Sequence, residues 1–369
     1  MNTQPAFVDQ VQNRIDEIVR RGHDDVKAIG RDADLLTTVT SSLTGGGKRF
    51  RARLAYWGWR AAVTYGDPLI DADAHPQLPA IAGLAAGLEL FHAAALVHDD
   101  IIDNSDTRRG VTAAHRQFES VHGDRGYQGD SAEYGRSSAI LLGDLLLAWA
   151  DDQFLGTGLS LDADRRDDFR SELRTMRTDV TAGQFLDNHD SSAWRTIPDD
   201  VAVERAQRVV IYKSAKYSVE APIALGAIVG GAPQSLLSAL RAFALPLGFA
   251  FQMRDDVLGV FGDEAVTGKP AGDDLREGKR TVLLAYARRG ADRSTLAILD
   301  ELIGDPTLDA DQVAMLRATL TRTGALDAVE DLIRRSRDRS IRALDELGLD
   351  AQVDRELRGL VDAVTNRSE

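Results

Sequence analysis

The sequence predicts an all-α protein that forms one large helical bundle. Apolar residues recur at helical spacing along most of the chain, and no alternating strand pattern of useful length interrupts them. Two apolar runs, one beginning near Ile81 and one over residues 236–251, are apolar on most sides, as helices inside a core are. No internal repeat divides the 369 residues, so we expect a single domain over residues 1–369.

The composition excludes several classes of function. The formal net charge of -14 makes nucleic acid and anionic membrane surfaces poor general partners. The chain has no cysteine, which excludes disulfides, thiolate catalysis and zinc–cysteine sites. Residues 1–11 lack the pattern of a signal peptide, and no window holds eighteen uninterrupted apolar residues. We therefore expect a cytoplasmic protein without stable membrane insertion.

A first helix is predicted over residues 6–40, where apolar and charged positions alternate at helical spacing. Residues 45–47 are all glycine, and Lys48 and Arg51 follow them at the start of a second helix. A glycine-rich turn before a basic helix can present backbone N–H groups and cationic side chains to an anion. A plain capping turn is the simpler explanation of this segment taken alone.

The first apolar run ends in three carboxylates, Asp99, Asp100 and Asp103, and two arginines follow them, Arg108 and Arg109. Residues four apart share a helix face, so Asp99 and Asp103 can point the same way with Asp100 beside them. Such carboxylates repel each other unless a cation lies between them, and oxygen ligands without a His or Cys cluster favour Mg²⁺. The guanidinium fork of the arginines matches phosphate oxygens. A solvated acidic helix end would also explain this segment by itself.

Two further features lie near this motif. His92 is seven residues before Asp99 and therefore on nearly the same helix face, which makes it either a ligand in the site or a satisfied core histidine. Residues 122–138 are rich in Gly, Asp and Ser and predict a loop long enough for a lid or an insertion. Another buried helix is expected over residues 138–150.

Helices are also predicted over residues 161–187 and 203–219, with a loop between them. The second of these helices carries Lys213 within an apolar stretch. Because a buried, unpaired lysine is costly, Lys213 is expected to reach solvent or to meet an anion. Charged helices at conventional spacing are expected over residues 281–368.

The second apolar run also ends in an aspartate pair, Asp255 and Asp256. Lys269 and Lys279 follow it, each directly after a glycine. Lysine is a compact point charge that commonly binds phosphate. Two apolar helices that each end in aspartates and are followed by basic residues predict two walls of one site for metal ions and a polyanion.

In this order the motifs resemble those of the trans-isoprenyl diphosphate synthases, the all-α polyprenyl synthetase family. The matching segments are a basic opening motif (46–51), a first aspartate-rich motif with its arginines (99–110), two middle motifs (183–187 and 213–215) and a second aspartate-rich region (251–256, 268–269 and 278–281). The resemblance implies the isoprenoid synthase fold, a helical bundle around a central cavity. It further implies a homodimer and head-to-tail condensation of isopentenyl diphosphate with an allylic diphosphate.

The resemblance also implies residue roles. Metal ligands are Asp99, Asp103 and Asp255, for about three Mg²⁺ ions per site. Residues for isopentenyl diphosphate are Lys48, Arg51, His92 and Arg109. Residues for the allylic diphosphate are Arg108, Lys213, Ser214, Gln184, Gln252, Lys269 and Lys279. The catalytic set is Asp99, Asp100, Asp103, Lys213, Gln252 and Asp255.

Two positions depart from the family pattern. The fifth position of the second aspartate motif, usually aspartate, is Gly259, which puts the metal affinity of that motif in question. Ser214 stands where the family has threonine and keeps the hydroxyl.

Product length is expected to depend on the helix before Asp99. The resemblance points to the residues four and five positions before the first aspartate, which are the small Ala95 and Ala94. These residues are expected to line the tunnel that holds the growing prenyl chain. One helical turn further from Asp99 the tunnel wall is bulkier, with Leu90 and Phe91 and, below them, Gly87. Small residues near the aspartates (the open level of the tunnel) followed by bulky residues deeper in it favour geranylgeranyl diphosphate as the product.

Three alternatives remain open at this point. A longer polyprenyl diphosphate (C25 or more) would form if Phe91 turned aside. A class I terpene cyclase shares the fold and the first aspartate motif, but the basic residues for a second substrate argue against it. A non-catalytic partner subunit is supported only by the loss at Gly259.

Overall fold

The computed structural model describes residues 3–67, 69–108, 110–262 and 272–365. Within these ranges nearly all regular structure is helical, which confirms the predicted all-α fold class. Contacts between Cα atoms divide the chain into two compact units. The first is Met1–Ser171 with Pro222–Pro233, and the second is Glu172–Ala221 with Gln234–Glu369. The single domain over residues 1–369 stays a prediction.

The first unit is organised around helix α5. Its elements are α1 (Thr3–Ile29), α2 (Leu35–Thr38), α3 (Thr40–Thr44), α4 (Phe50–Val63), a 3₁₀ turn (Ala72–Ala74), α5 (Leu78–Ile102), β1 (Thr107–Arg108), β2 (Val111–Thr112), α6 (Ala114–Asp124), α7 (Ser131–Leu159), the first part of α8 (Ala163–Ala193) and nearly all of α10 (Ala221–Gly230). Helix α5 packs against α7, α4 and α1. It is surrounded in this way because it is apolar on most sides, and Leu84, Leu88 and Leu90 are fully buried.

The second unit is organised around helix α11. Its elements are the rest of α8, a 3₁₀ turn (Trp194–Thr196), α9 (Asp199–Val209), a π-helix (Val210–Glu220), α11 (Gln234–Phe261), α12 (Asp273–Glu277), α13 (Val282–Gly290), α14 (Arg293–Leu302), α15 (Ala310–Arg322), α16 (Ala325–Asp345) and α17 (Ala351–Thr365). Helix α11 packs against α16, the π-helix and α17. Phe243, Leu247 and Met253 form its buried face.

The predicted lid or insertion over residues 122–138 is wrong. Helix α6 continues to Asp124 and α7 begins at Ser131, so the connection covers only residues 125–130. Asp130 caps α7, because its carboxylate accepts a hydrogen bond from the backbone N–H of Glu133 at 3.0 Å. Exposed helical turns on either side of a short connection have the same polar composition as a loop, and composition alone could not separate them.

Other boundaries also differ from the prediction. The helical pattern over residues 6–40 is divided between α1, α2 and α3. Helix α11 continues past the apolar run to Phe261, so Asp255 and Asp256 lie inside the helix rather than at its end. Val257 and Val260 remain buried, which shows that the helix becomes one-sided here instead of stopping. The strands β1 and β2 were not predicted, because two residues are too few to form an alternating pattern.

Two helices, α5 and α11, are long and apolar enough to cross a bilayer by length and composition. In their most apolar windows, 78% and 50% of the residues are buried within the structure. Core helices that are packed inside a protein meet the same criterion, so these two helices are weak evidence for a membrane span.

Candidate active site

The basic turn before α4 has an unusual backbone. Gly46 and Gly47 have φ values of 69° and 89°, and Arg49 has a φ of 46° although it is not glycine. A side chain in this left-handed region is strained, so other contacts must hold it there. The turn leaves Lys48 exposed and Arg51 half-buried at the start of α4.

A buried ion pair holds Arg49 in that conformation. Its Nη1 lies 3.3 Å from Glu89 Oε2, and both side chains are almost fully buried. The other carboxylate oxygen of Glu89 accepts a hydrogen bond from the backbone N–H of Ala52 at 3.1 Å. Glu89 of α5 therefore fixes the first turn of α4, and with it the position of the two predicted binding residues beside Arg49.

The first aspartate motif closes helix α5. Asp103 is the C-terminal cap, and its backbone N–H donates to Asp99 O at 2.8 Å, so Asp99 and Asp103 lie one helical turn apart. Both are half-buried, whereas Asp100 is 2% exposed. The β1–β2 hairpin returns Arg108 to this helix end, where its Nε donates to Asp100 Oδ1 at 2.8 Å and its Nη2 lies 3.5 Å from Asp99 Oδ2. The structure thus brings these four predicted residues together.

The remaining predicted residues of this unit are His92 and Arg109, and His98 lies close to them in the chain. His92 is half-buried on α5. Arg109 lies outside the described residues. His98, next to Asp99 in the chain, is packed against α7, where only a glycine at position 143 leaves room for its ring. Its Nε2 lies 3.3 Å from Ile140 O.

The five predicted product-length residues differ in how much of each is exposed. Leu90 and Ala94 are fully buried, Phe91 is 8% exposed, and Ala95 is partly exposed. Gly87 packs so tightly on Phe154 of α7 that an added Cβ would lie 2.8 Å from the ring. Ala94 follows Gly87 by seven residues and is on the same helix stripe, which faces α7. Of the two residues at the predicted open level, only Ala95 has free surface.

In the second unit, Lys213 meets an anion, as predicted. Its Nζ lies 2.5 Å from Asp187 Oδ2, at the end of the motif over residues 183–187. Gly183 makes this contact possible, because a Cβ there would lie 2.3 Å from the backbone N of Lys213. On another side, a Cβ at Gly248 of α11 would lie 2.6 Å from Ala215 O. Two glycines thus let α8 and α11 close on the π-helix.

The π-helix places Lys213, Ser214 and Ala215 within i→i+5 geometry, where sequence periodicity predicted an ordinary helix. Ser214 is 7% exposed. Gln184, next to Gly183, is half-buried, and its buried Nε2 has no hydrogen-bond acceptor in the part of the chain that the structure describes.

The two carboxylates of the second aspartate motif differ in burial. Asp255 is half-buried, whereas Asp256 is buried and accepts a hydrogen bond from Gln252 Nε2 at 2.8 Å. Burial raises the pKa of Asp256 well above its usual value, and the charges of Asp274 and Asp255 add to this effect. Because Gln252 donates through its nitrogen, its carbonyl oxygen is not used in this bond.

The departure at Gly259 has a structural counterpart. An added Cβ at this position would lie 2.0 Å from Asp274 Oδ2, so the carboxylate of Asp274 occupies the space where a fifth-position side chain would begin. Lys279 lies beside Asp274. Its Nζ is 3.7 Å from Asp274 Oδ1 and 2.5 Å from Glu277 Oε2. Lys269 lies outside the described residues.

The donor atoms fit the predicted Mg²⁺. Asp99, Asp103 and Asp255 offer carboxylate oxygens, which are the ligands that this hard cation prefers. In the described ranges no three His, Cys, Asp or Glu side chains form a preassembled metal cage. Magnesium seldom uses such a cage, since it is commonly held by one or two carboxylates together with substrate phosphates and water. Carboxylates of this kind therefore suit a cation that arrives with a diphosphate.

Sequence reasoning missed three residues that lie in or contact the predicted motifs, namely Arg49, Asp187 and Asp274. Arg49 and Asp187 lie inside motifs that were recognised, so membership of a motif was an available signal. Asp274 had no such signal, because only the fold shows that it lies against Gly259.

Comparisons with known proteins agree with these observations. The family model described as polyprenyl synthetase matches residues 33–320. A short chain isoprenyl diphosphate synthase from Methanocaldococcus jannaschii is 30% identical over 77% of this chain and 76% of its own. A geranylfarnesyl diphosphate synthase from Aeropyrum pernix is 32% identical over 77% and 82%, respectively.

A solved structure is also similar. It is the geranylgeranyl pyrophosphate synthase from Corynebacterium glutamicum complexed with isoprenyl diphosphate and magnesium, with a TM-score of 0.88, 35% sequence identity and 98% of each chain covered. The predicted resemblance and the isoprenoid synthase fold are thereby confirmed. Since the family model spans most of the chain, this chain belongs to the polyprenyl synthetase family and is a trans-prenyltransferase.

Proposed function

We propose that this enzyme condenses isopentenyl diphosphate head-to-tail with an allylic diphosphate and that its product is geranylgeranyl diphosphate. Members of the family use these two kinds of substrate and generally depend on Mg²⁺. The observation that carries the proposal is the basic turn at Lys48 and Arg51, present together with both aspartate motifs. A terpene cyclase needs no basic site for a second diphosphate.

When bound, Mg²⁺ neutralises the charge that develops on the leaving diphosphate as the allylic C–O bond breaks. We assign Asp99, Asp103 and Asp255 as its ligands, for about three ions per site. Asp100, which is buried against Arg108, orients that guanidinium instead of facing the metal. The remaining diphosphate oxygens are assigned to four cationic side chains, Arg108, Lys213, Lys269 and Lys279.

Polar oxygens stabilise the allylic cation in this proposal. Gln184, Ser214 and Gln252 present carbonyl or hydroxyl dipoles near the positive charge. The side-chain nitrogen of Gln252 is engaged with Asp256, which orients its carbonyl oxygen. The released diphosphate then accepts the proton that is lost after condensation.

The second substrate is held by its own diphosphate. We assign this role to Lys48, Arg51, His92 and Arg109. The buried pair between Arg49 and Glu89 supports the assignment, since it fixes the turn that carries two of these side chains. Holding the double bond of isopentenyl diphosphate in line with the cation removes much of the entropic barrier to reaction.

The proposed function is tested by incubating the purified chain with Mg²⁺, isopentenyl diphosphate and each of several allylic diphosphates. We expect a C20 alcohol after dephosphorylation of the product. A C25 or longer alcohol would keep the reaction and change the product. Allylic diphosphate consumed without isopentenyl diphosphate would indicate a terpene cyclase. Turnover that appears only beside a second synthase would indicate a partner subunit.

Product length should respond to Ala95. A phenylalanine at this partly exposed position fills the open level without entering the contact between α5 and α7, so Ala95→Phe should shorten the product toward farnesyl diphosphate. Ala94→Phe is the matched control, because Ala94 is fully buried on the stripe that faces α7. It should lower the melting temperature, which Ala95→Phe should leave nearly unchanged. An unaltered product from Ala95→Phe would place the wall on another helix.

We also propose that the enzyme is a homodimer. Helix α7 carries an exposed stripe of large apolar residues, with Leu141 at 59% exposure, Leu155 at 63% and Leu159 at 63%. Such a stripe on a helix of 29 residues is typical of an interface between chains.

The double change Leu141→Glu and Leu155→Glu should convert the dimer into a monomer, because two buried, unpaired charges per chain would oppose association. Light scattering coupled to size exclusion measures the mass directly. Met315→Glu, at an exposed apolar residue of α15, is the control and should remain dimeric. A monomeric parent would refute the proposal.

The cytoplasm is the proposed compartment. The buried fractions of α5 and α11 agree with core helices.

A further inference from the structure

Three residues on one stripe of helix α8, Asp179, Gly183 and Asp187, follow each other at intervals of four. Gly183 is the middle one, and there the backbone of α8 meets the π-helix at Lys213. Asp187, on one side of this contact, pairs with Lys213. Asp179, on the other side, pairs with Lys216. The close approach of the two backbones is therefore bracketed by two ion pairs.

The pair between Lys216 and Asp179 lies outside the residues assigned to either diphosphate. The Nζ of Lys216 donates to Asp179 Oδ2 at 2.7 Å, and both side chains are half-buried. The ammonium also lies 4.9 Å from the centre of the Tyr212 ring. Burial lowers the pKa of Lys216, but the hydrogen bond and the negative charge of Asp179 raise it by more. Its pKa is therefore above the usual value, and the side chain is charged at neutral pH.

The π-helix needs contacts of this kind because its residues could also form an ordinary α-helix. Eleven residues, Val210–Glu220, form it, although π-helices are rare and mostly one turn long. A change to i→i+4 bonding alters the number of residues per turn, so the side chains would rotate about the helix axis relative to α8. The contact at Gly183 sets the distance between the two helices but not this rotation. An ion pair between their side chains opposes the rotation directly.

We propose that Lys216 is a positioning residue, whose pair with Asp179 holds the π-helix in register on α8. The residues kept in place in this way are Lys213 and Ser214. The proposed function assigns both to the allylic diphosphate, so this inference rests on that assignment. In that function Lys213 directs hydrogen bonds to the diphosphate, which weakens its hold on Asp187. The pair of Lys216 is not shared with substrate, and it keeps the π-helix in place while the diphosphate is bound.

The Michaelis constants for the two substrates test this role. Lys216→Gln removes the charge and should raise KM for the allylic diphosphate at least about fivefold. KM for isopentenyl diphosphate should stay within about twofold of the parent, because the residues assigned to that substrate lie between positions 48 and 109 and not on the π-helix. The fold should remain, because Glu220 at the end of the π-helix pairs separately with Arg241 Nη1 at 3.2 Å.

Three further variants separate positioning from general stability. Lys216→Arg keeps a cation opposite Asp179 and should restore most of the parental KM. Asp179→Asn should act like Lys216→Gln, and the double variant should be no worse than either single one, because both changes remove the same interaction. Arg208→Gln is the control. It breaks an exposed pair with Glu204 on α9, the helix before the π-helix, and should leave both KM values unchanged.

Hydrogen exchange of the amides over residues 210–220 gives a readout that needs no turnover. Lys216→Gln should accelerate this exchange, and Arg208→Gln should not. Unchanged exchange or parental KM values in Lys216→Gln would overturn the proposal, as would an equal rise of both KM values with a lower melting temperature. If the parent showed no turnover while exchange was accelerated, the proposed function would fall and the role of Lys216 in the register would stand.

Discussion

Replacing Asp99 or Asp255 by alanine is expected to lower kcat by at least about 10³-fold, since each change removes a carboxylate that we propose as a ligand of the cation facing the leaving group. Both side chains are half-buried, so the helical fold should remain. The rate is measured with radiolabelled isopentenyl diphosphate, and the fold by circular dichroism.

The control for this prediction is Asp168→Ala, at an exposed aspartate of α8, which should leave kcat unchanged. Normal prenyl transfer by either the Asp99 or the Asp255 variant would remove the assigned metal role of that residue. Asp100→Ala differs, because Asp100 is buried against Arg108, and its loss should cost stability as well as rate.

Gly183→Ala is expected to reduce both stability and activity. The new methyl group would lie 2.3 Å from the backbone N of Lys213 and 2.6 Å from its Cα, and backbone atoms cannot rotate away as a side chain would. Overpacking of this kind costs about 1–3 kcal/mol or more. Because the π-helix must move away from α8, the pair between Lys213 and Asp187 should break and kcat/KM should fall at least about tenfold.

Gly359→Ala is the matched control in the same unit. Gly359 lies in helix α17, and a Cβ there would meet nothing within 4 Å, so alanine should stabilise the chain by up to about 1 kcal/mol. Denaturant unfolding measures both changes. If Gly183→Ala unfolded like the parent and kept its activity, the close approach of α8 to Lys213 would not matter for function.

The sequence alone determined the fold class and the chemistry of the motifs. Helical periodicity was sufficient for the all-α prediction, because the 3.6-residue repeat of apolar side chains is a local property. The pairing of Lys213 with an anion was predictable for a similar reason, since a cation in an apolar run must find a partner wherever the chain folds. The expectation of Mg²⁺ rested on the carboxylates of the two aspartate motifs.

The polarity of a segment gave a wrong prediction where the same polar pattern fits two different structures. The polar residues near the start of α7 could belong to a loop or to an exposed helix face, and only the backbone hydrogen bonds distinguished them. The extension of α11 beyond Asp256 was hidden in the same way, because burial there is one-sided.

Only the tertiary structure decided which distant residues meet. Glu89 holds Arg49 across 40 residues, Asp187 holds Lys213 across 26, and the carboxylate of Asp274 lies against Gly259. It also separated Ala95 from Ala94, which the sequence treated as one level, because α7 covers only one stripe of α5. Such contacts depend on how closely two helices approach, and glycines such as Gly183 set that distance only once the partner backbone is in place.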